Sequence, residues 1–252
     1  MEHLRFDLEG KTAVVTGASS GIGAGIAEAM AHAGACVVAV GRNRQRLEET
    51  AKAIEEDGGR CGVIAVDITA PEAPRRIVDE TVQAFGALNV LVHAAGIFWP
   101  KPFTETSLDD LDRQWETNVR APYAITQAAM PHLRPGGSVI FVSSAAGHVG
   151  FVNSSAYCAS KGAVELLSKA LTQEFGAEGV RFNCIAPGNI RTPMNEHLLA
   201  DPDYMKLMLD FTPSKRIGEV AEIAPAAVFL ASDAGKYLFG SSLVVDGGWV
   251  AQ

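Results

Sequence analysis

Tyr157 and Lys161 stand four residues apart in a stretch, 155–175, whose pattern predicts a helix, so the two side chains share one helix face. A free tyrosine, with a pKa of about 10, is a poor acid–base catalyst near neutrality. An ammonium about 4 Å away would stabilise the phenolate by about 4 kcal/mol at an effective dielectric of about 20. That would bring the pKa down roughly 3 units, to about 7, where a phenol gives and takes a proton readily. Spacing alone does not establish this, since Tyr–Lys pairs one turn apart also occur on solvated helices. Ser144, directly after an apolar run, adds a hydroxyl able to hydrogen-bond a reacting oxygen; the plainer reading is a strand-end cap. Together the three suit proton transfer to or from a carbonyl or alcohol oxygen.

A second constellation suits a phosphate. Thr16-Gly17-Ala18-Ser19-Ser20-Gly21-Ile22-Gly23 lies between an apolar run at 12–16 and a helical stretch at 22–33. Glycines there permit a tight turn and a close backbone approach, and the helix N-terminus offers free N–H groups to a pyrophosphate. No Gly-Lys-Ser/Thr follows, which excludes a P-loop, and the spacing of Gly17, Gly21 and Gly23 differs from GxGxxG.

These residues need a scaffold. Apolar strand candidates at 12–16, 36–40, 63–66, 90–92, 139–142, 180–185 and 243–245 alternate with helical patterns, among them 44–56 and 108–133. Continuous apolar strands imply burial on both faces and hence a parallel sheet. The alternation predicts an α/β fold, a doubly wound sheet flanked by helices, as one domain over 1–252. The stretch 192–216, rich in Met and Leu and carrying Pro193, Pro202 and Pro213, departs from the pattern. It reads as a small helical insertion, either a lid over a substrate or a surface pair that only packs.

With these motifs the chain resembles the short-chain dehydrogenase/reductase family over essentially its whole length. TGxxxGIG matches at 16–23. His93-Ala94-Ala95-Gly96 partly matches the family's Asn-Asn-Ala-Gly, with Ala94 in place of an amide that helps fix that loop. Asn118, Ser144, Tyr157 and Lys161 fall at the spacing of the catalytic tetrad. Pro187-Gly188 with Thr192, and Val245-Asp246-Gly247-Gly248, match two further signatures. The resemblance implies a Rossmann sheet and hydride transfer between a nicotinamide cofactor and a ketone or secondary alcohol. In that scheme Tyr157 donates the proton and Ser144 orients the oxygen. Lys161 lowers the Tyr157 pKa and holds the ribose, and Asn118 holds a water leading from Lys161 to solvent. Gly17, Ser19, Ser20, Gly21, Ile22 and Gly23 would cradle the pyrophosphate, with Ala95 and Gly96 beside the cofactor. Asp67 and Ile68 would hold the adenine, although Asp67 reads equally as a turn cap. Pro187, Gly188, Ile190 and Thr192 would hold the nicotinamide side. The resemblance also implies a homotetramer paired through the long helices. Leu111, Trp115, Val119 and Ile125 form a candidate stripe, part of which must face the sheet.

Cofactor choice is read from the second strand. Enzymes preferring NAD usually place an acid at its end, whereas here it ends in Gly41-Arg42-Asn43 with no acid before Glu48. Gly41 leaves room for a 2′-phosphate and Arg42 can meet it, unless Arg42 is a solvated helix-start residue. NADP(H) is therefore expected, with NAD disfavoured, and Arg44 and Arg46 are expected to project into solvent.

Residues following strand ends, where open α/β sheets bind ligands, give the expected substrate pocket: Phe98, Trp99, Ala145, Ala146, His148, Phe151, Asn153, Asn189, Met194 and Leu198. The mix suits a mainly apolar small-molecule ketone or alcohol with one or two polar groups. His148 reads as a polar contact or as a structural histidine, and Cys158, about 100° around the helix from Tyr157, as core. A 3-oxoacyl-carrier-protein reductase is the second reading. It calls for basic residues near the pocket mouth, where Arg134 could serve, but Glu178 and a net charge of −8 weigh against it. A non-catalytic dinucleotide sensor would show a broken tetrad, and all four positions are intact.

Composition closes other routes. The net charge of −8 opposes nucleic-acid binding. No apolar run of about 20 residues predicts a membrane span, and the charged start at 1–7 lacks a signal peptide; a cytoplasmic location is the expectation. Four separated cysteines, without a CxxC pair, are expected as reduced thiols, mostly in core strands. Six histidines without ligand spacing give no metal site.

Overall fold

In the computed structural model, which describes residues 4–133 and 135–251, seven strands form one parallel sheet in the order β3-β2-β1-β4-β5-β6-β7. The strands are β1 Thr12–Thr16, β2 Cys36–Gly41, β3 Arg60–Ala65, β4 Val90–His93, β5 Ser138–Val142, β6 Arg181–Pro187 and β7 Ser242–Val245. Each face is covered. Val15, Val37, Val92 and Ile140 pack with Ile26 and Met30 of α1 (Gly21–His32), Leu47 and Ile54 of α2 (Arg44–Glu56), and Ile223 and Ala227 of α9 (Val220–Ala231). The alternate residues Val14, Val38, Val139 and Phe141 pack with Ile77 of α3 (Ala73–Phe85), Ile125 of α5 (Ala121–Leu133) and Val164 of α6 (Ser155–Phe175). Two-sided burial is why the strands lack polar alternation. The strand order reverses between β1 and β4, and the crevice beyond their carboxyl ends is where such sheets take ligands.

Three expectations change in detail. β3 begins at Arg60 rather than at 63, because its pairing with β2 runs from Cys36↔Arg60; as an edge strand it tolerates residues that an apolar pattern leaves out. The single helix expected over 108–133 is broken into α4 (Leu108–Trp115), a π-helical turn (Glu116–Arg120) and α5. Of the four free cysteines only Cys184 is fully buried, and Cys158 lies on α6, not in a strand.

The 192–216 segment folds as α7 (Glu196–Leu199) and α8 (Pro202–Phe211). Leu199 and Met208 join Ala145, Ile217 and Trp249 in a separate apolar cluster, so the segment packs as a roof at the carboxyl end of the sheet. Arg134 and residues 1–3 lie outside the described residues. Among those described, no helix is long and apolar enough to cross a membrane.

Candidate active site

A cleft of about 780 Å³ runs along the carboxyl ends of the strands. One part of its floor is the loop from β1 to α1. Gly17 has φ +73°, and a Cβ there would sit 2.7 Å from the Ala95 backbone. A Cβ on Gly23 would sit 2.3 Å from the Gly17 carbonyl oxygen, so only glycine lets helix and loop close on each other. Thr50 Oγ1 donates to the Ala18 carbonyl at 2.9 Å and holds the loop to α2. Ser20 at the N-cap makes no side-chain cap bond, and the first turn of α1 carries no acid. The first-turn N–H groups and the positive end of the helix dipole are thus directed at the cleft. Gly17, Ser19, Ser20, Gly21, Ile22 and Gly23 all line it, a cradle that fits a dinucleotide pyrophosphate.

At the ends of β2 and β3 the lining becomes charged. Arg42 reaches Asp67 at 4.0 Å. Asp67 accepts from Thr69 N at 3.0 Å and from Thr69 Oγ1 at 2.8 Å, so it is at once a turn cap and a wall of the cleft. Burial opposes ionisation of this carboxyl, yet the two Thr69 donors and the Arg42 guanidinium hold it below its usual range. Ile68 lies beside it in the lining. Asn43 caps α2 by accepting from Arg46 N. Arg46 borders the cleft with Arg42 and, like Arg44, stays exposed to solvent as expected. A Cβ on Gly41 would lie 3.5 Å from Ser19 Oγ, so a longer side chain there would extend toward the space that Arg42 borders.

The acid–base residues meet further along. Ser144 follows β5, and its Oγ accepts from Ala146 N at 3.1 Å. The neighbouring Ser143 instead donates to the Lys161 carbonyl and is buried, which separates the two serines by role. Tyr157 packs edge-on against Phe98, with ring centroids 4.8 Å apart. Lys161 Nζ donates to the Val142 carbonyl at 2.8 Å and stands 5.6 Å from the centre of the Tyr157 ring. The ammonium thus lies over the ring face. Burial pushes Tyr157 up to about 12, against a hydrogen bond from Ser144 that favours the phenolate. Burial also pushes Lys161 down to about 8. The expected fall of Tyr157 toward neutrality is absent here, because desolvation outweighs the Ser144 hydrogen bond.

Asn118 is fully buried and does not line the cleft. Its Nδ2 donates to the Ile97 carbonyl and to Ser160 Oγ, both at 3.0 Å, and its Oδ1 accepts from Ile97 N at 2.9 Å. Both amide hydrogens are engaged, so the side chain braces the loop after β4. It supplies the restraint that Ala94 lacks, and the π turn carries it inward. Across the cleft, Pro187, Gly188, Ile190 and Thr192 form the opposite rim. Asn195 organises it: its Oδ1 accepts from Thr192 N and Oγ1, and its Nδ2 donates to the Ile190 carbonyl. Gly188 allows contact with Asp246, since a Cβ would lie 2.7 Å from the Asp246 Cα. The Asp246 carboxylate accepts from Gly248 N and Val250 N, and this turn delivers Trp249 into the cleft.

Residues 17–250 match a family model described as enoyl-(acyl carrier protein) reductase. The 2,5-dichloro-2,5-cyclohexadiene-1,4-diol dehydrogenase of Sphingobium indicum is 36% identical over 244 residues, which cover 96% of this chain and 97% of that one. L-fucose dehydrogenase of Bos taurus is 40% identical, with 95% and 89% covered. A crystal structure of gluconate 5-dehydrogenase from Burkholderia cenocepacia, in complex with NADP and tartrate, superposes with a TM-score of 0.94 at 31% identity, with 98% of both chains covered. The chain belongs to the short-chain dehydrogenase/reductase family. It is an oxidoreductase on the doubly wound sheet that the family shares.

Within this family member the expected substrate residues divide. Phe98, Trp99, Ala145, Ala146, Phe151, Asn189 and Met194 line the cleft. His148, Asn153 and Leu198 do not. His148 turns away from it, with Nε2 3.1 Å from Ser242 Oγ and 3.2 Å from Glu165 Oε1, the structural role weighed for it above. Asn153 sits at φ 56° in an exposed turn, and its carbonyl accepts from Lys101 N. Leu198 is displaced by its neighbour Leu199, the residue of α7 that points into the apolar cluster. Tyr204 of α8 and Trp249 line the cleft but carry no local motif. Only Met–Leu enrichment in the roof and the Asp-Gly-Gly signature before Trp249 hinted at them.

Proposed function

We propose that this protein transfers a hydride between NADP(H) and a ketone or secondary alcohol, with Tyr157 as general acid and base. The observation carrying this reading is the continuity of one cleft: a helix-capped glycine cradle, the Tyr157–Ser144–Lys161 group and an aromatic chamber line it in succession. The bound nicotinamide nucleotide supplies the hydride in reduction and takes it up in oxidation. Residues of this chain do the rest. The Gly17–Gly23 loop binds the pyrophosphate. Arg42, assisted by Arg46, meets the 2′-phosphate. Asp67 and Ile68 flank the adenine, Ala95 and Gly96 border the ribose, and Pro187, Gly188, Ile190 and Thr192 hold the carboxamide side. Ser144 donates a hydrogen bond to the substrate oxygen and orients it. Tyr157 gives that oxygen its proton in reduction and removes it in oxidation. Lys161 would hold the ribose hydroxyls of the bound nucleotide, and its charge would act on the phenol. Asn118 positions the β4 loop and, in the proton path, acts through that loop.

The whole of 1–252 serves as one dinucleotide-binding domain, with 192–216 as its lid, in a cytoplasmic homotetramer. The helix stripe supports pairing in part. Val119 and Ile125 turn into their own core, whereas Trp115 stays 43% exposed and Tyr123 beside it 51% exposed, leaving apolar surface for a partner. Light scattering at micromolar concentration tests the tetramer, and a monomer refutes it. A panel of simple ketones and an acetoacetyl thioester, followed by NADPH absorbance, tests the reaction. Thioester turnover exceeding that of every simple ketone would favour the carrier-protein reading.

A further inference from the structure

Three aromatic elements wall the substrate end. Phe98 lies edge-on to Tyr157, and Phe151 stands at 72° to Trp249 with ring centroids 5.6 Å apart. Phe211 of the roof backs Trp249 at 5.7 Å. Such faces suit a flat or slightly puckered ring. The charges lie elsewhere. The cationic residues lining the cleft are Arg42, Arg46, Arg113 and Lys161, and none comes from the roof, the β6 loop or the C-terminal turn. Of the basic side chains near this end in sequence, Lys101 is tied to Asp110 at 2.7 Å, Arg191 to Glu219 at 3.5 Å and Lys206 to Asp210, while Lys215 donates to the Leu209 and Asp210 carbonyls. A substrate carboxylate set against the roof, the β6 loop or the C-terminal turn would lose water without gaining a cation from them.

Polar groups beyond Ser144 and Tyr157 are few. Tyr204 is half-buried and lines the cleft together with Tyr157. Its own pKa is raised by burial, so the hydroxyl stays a donor. Asn189 lines the cleft and spends its backbone carbonyl on Gly218 N. A neutral sugar would bring more hydroxyls than these two handles can satisfy, and each one left over would be buried unpaired.

We infer that the substrate is an uncharged alicyclic ring bearing the reacting carbonyl or alcohol and one further oxygen, which the Tyr204 hydroxyl and the Asn189 amide receive. This inference rests on the hydride-transfer reading above and deepens it.

The test uses the full chain with NADP(H) and four probes: cyclohexanone, 2-hydroxycyclohexanone, 5-keto-D-gluconate for reduction, and L-fucose for oxidation. The expected kcat/KM for 2-hydroxycyclohexanone exceeds that for ketogluconate and for fucose by at least about a hundredfold. Tyr204→Phe is expected to shrink the preference for hydroxycyclohexanone over cyclohexanone by about tenfold, and Asn189→Ala does the same if the tyrosine variant fails to fold. Ketogluconate or fucose turned over as well as the ring ketones overturns the inference alone. An unchanged preference in both variants overturns the assignment of the second oxygen. If no probe is turned over by protein whose fluorescence still reports NADPH binding, the substrate class falls, and the hydride-transfer reading falls with it only if the acetoacetyl thioester is inert as well.

Discussion

Tyr157 and Lys161, one helical turn apart on α6, line the same cleft. Here Lys161 Nζ rests on the Val142 carbonyl and burial lifts the phenol to about 12. Tyr157→Phe removes only the hydroxyl, so turnover should fall by at least about a hundredfold while NADPH binding, read by fluorescence, persists. Near-normal turnover would transfer the proton role to another group. Lys161, held down to about 8, carries its charge below that pH and loses it above. NADPH affinity should therefore weaken as pH rises through about 8, and Lys161→Met should flatten the profile. A wild-type affinity constant from pH 7 to about 9.5 would contradict this assignment. At the other end, Gly41→Asp with Arg42→Ile should swing the preference from NADP toward NAD. Because Arg42 is largely exposed, the swing expected from that residue is about tenfold in kcat/KM, and equal efficiency of the wild type with both cofactors would refute the choice.

At the scale of elements, the strands and the Ser155–Phe175 helix were legible because two-sided burial and regular periodicity leave strong marks. The break at Glu116–Arg120 left none: Ala121 and its neighbours continue an apolar period straight through it. Inside that turn Asn118 bonds both backbone groups of Ile97, 21 residues away. Asn195 likewise ties the Ile190–Thr192 rim together, and Tyr204 and Trp249 reach the cleft from the roof and the C-terminal turn. Polar bracing and long-range delivery depend on tertiary approach, which no local pattern encodes. Asn118→Ala should leave the Ile97 N–H and carbonyl and the Ser160 hydroxyl without their partner. A loss of roughly 2–4 kcal/mol in denaturant unfolding is expected, with a lower kcat from the loosened Gly96 loop. Unchanged stability would mean that the β4 loop is held by other contacts.

For the whole molecule, the least expected liability is His93, the residue that ends β4 where the family pattern has an amide. Only 3% of its surface is exposed; Nε2 meets Thr126 Oγ1 at 2.8 Å, and the ring stacks on Phe141 at 5.1 Å. Nδ1 finds no partner among the described residues. Burial drives its pKa from 6.5 down to about 3, so the folded protein keeps this ring neutral. Unfolding releases it to take a proton whenever the pH lies below about 6.5. Between those two values the unfolded state binds more protons than the folded one, so stability rises with pH in that window and is lost as pH falls through it. The contribution approaches one proton, or about 1.4 kcal/mol per pH unit, once the pH is well below 6.5. His93→Asn replaces the titrating ring with an amide that keeps a donor for Thr126 and cannot ionise. Its unfolding free energy, measured in denaturant from pH 7 to about 4.5, should fall less steeply than the wild type's. Carboxylates paired in the folded state, such as Asp67 and Asp110, add their own acid slope in both proteins and cancel in the comparison. Identical slopes would show that His93 is already protonated or solvated in the folded molecule.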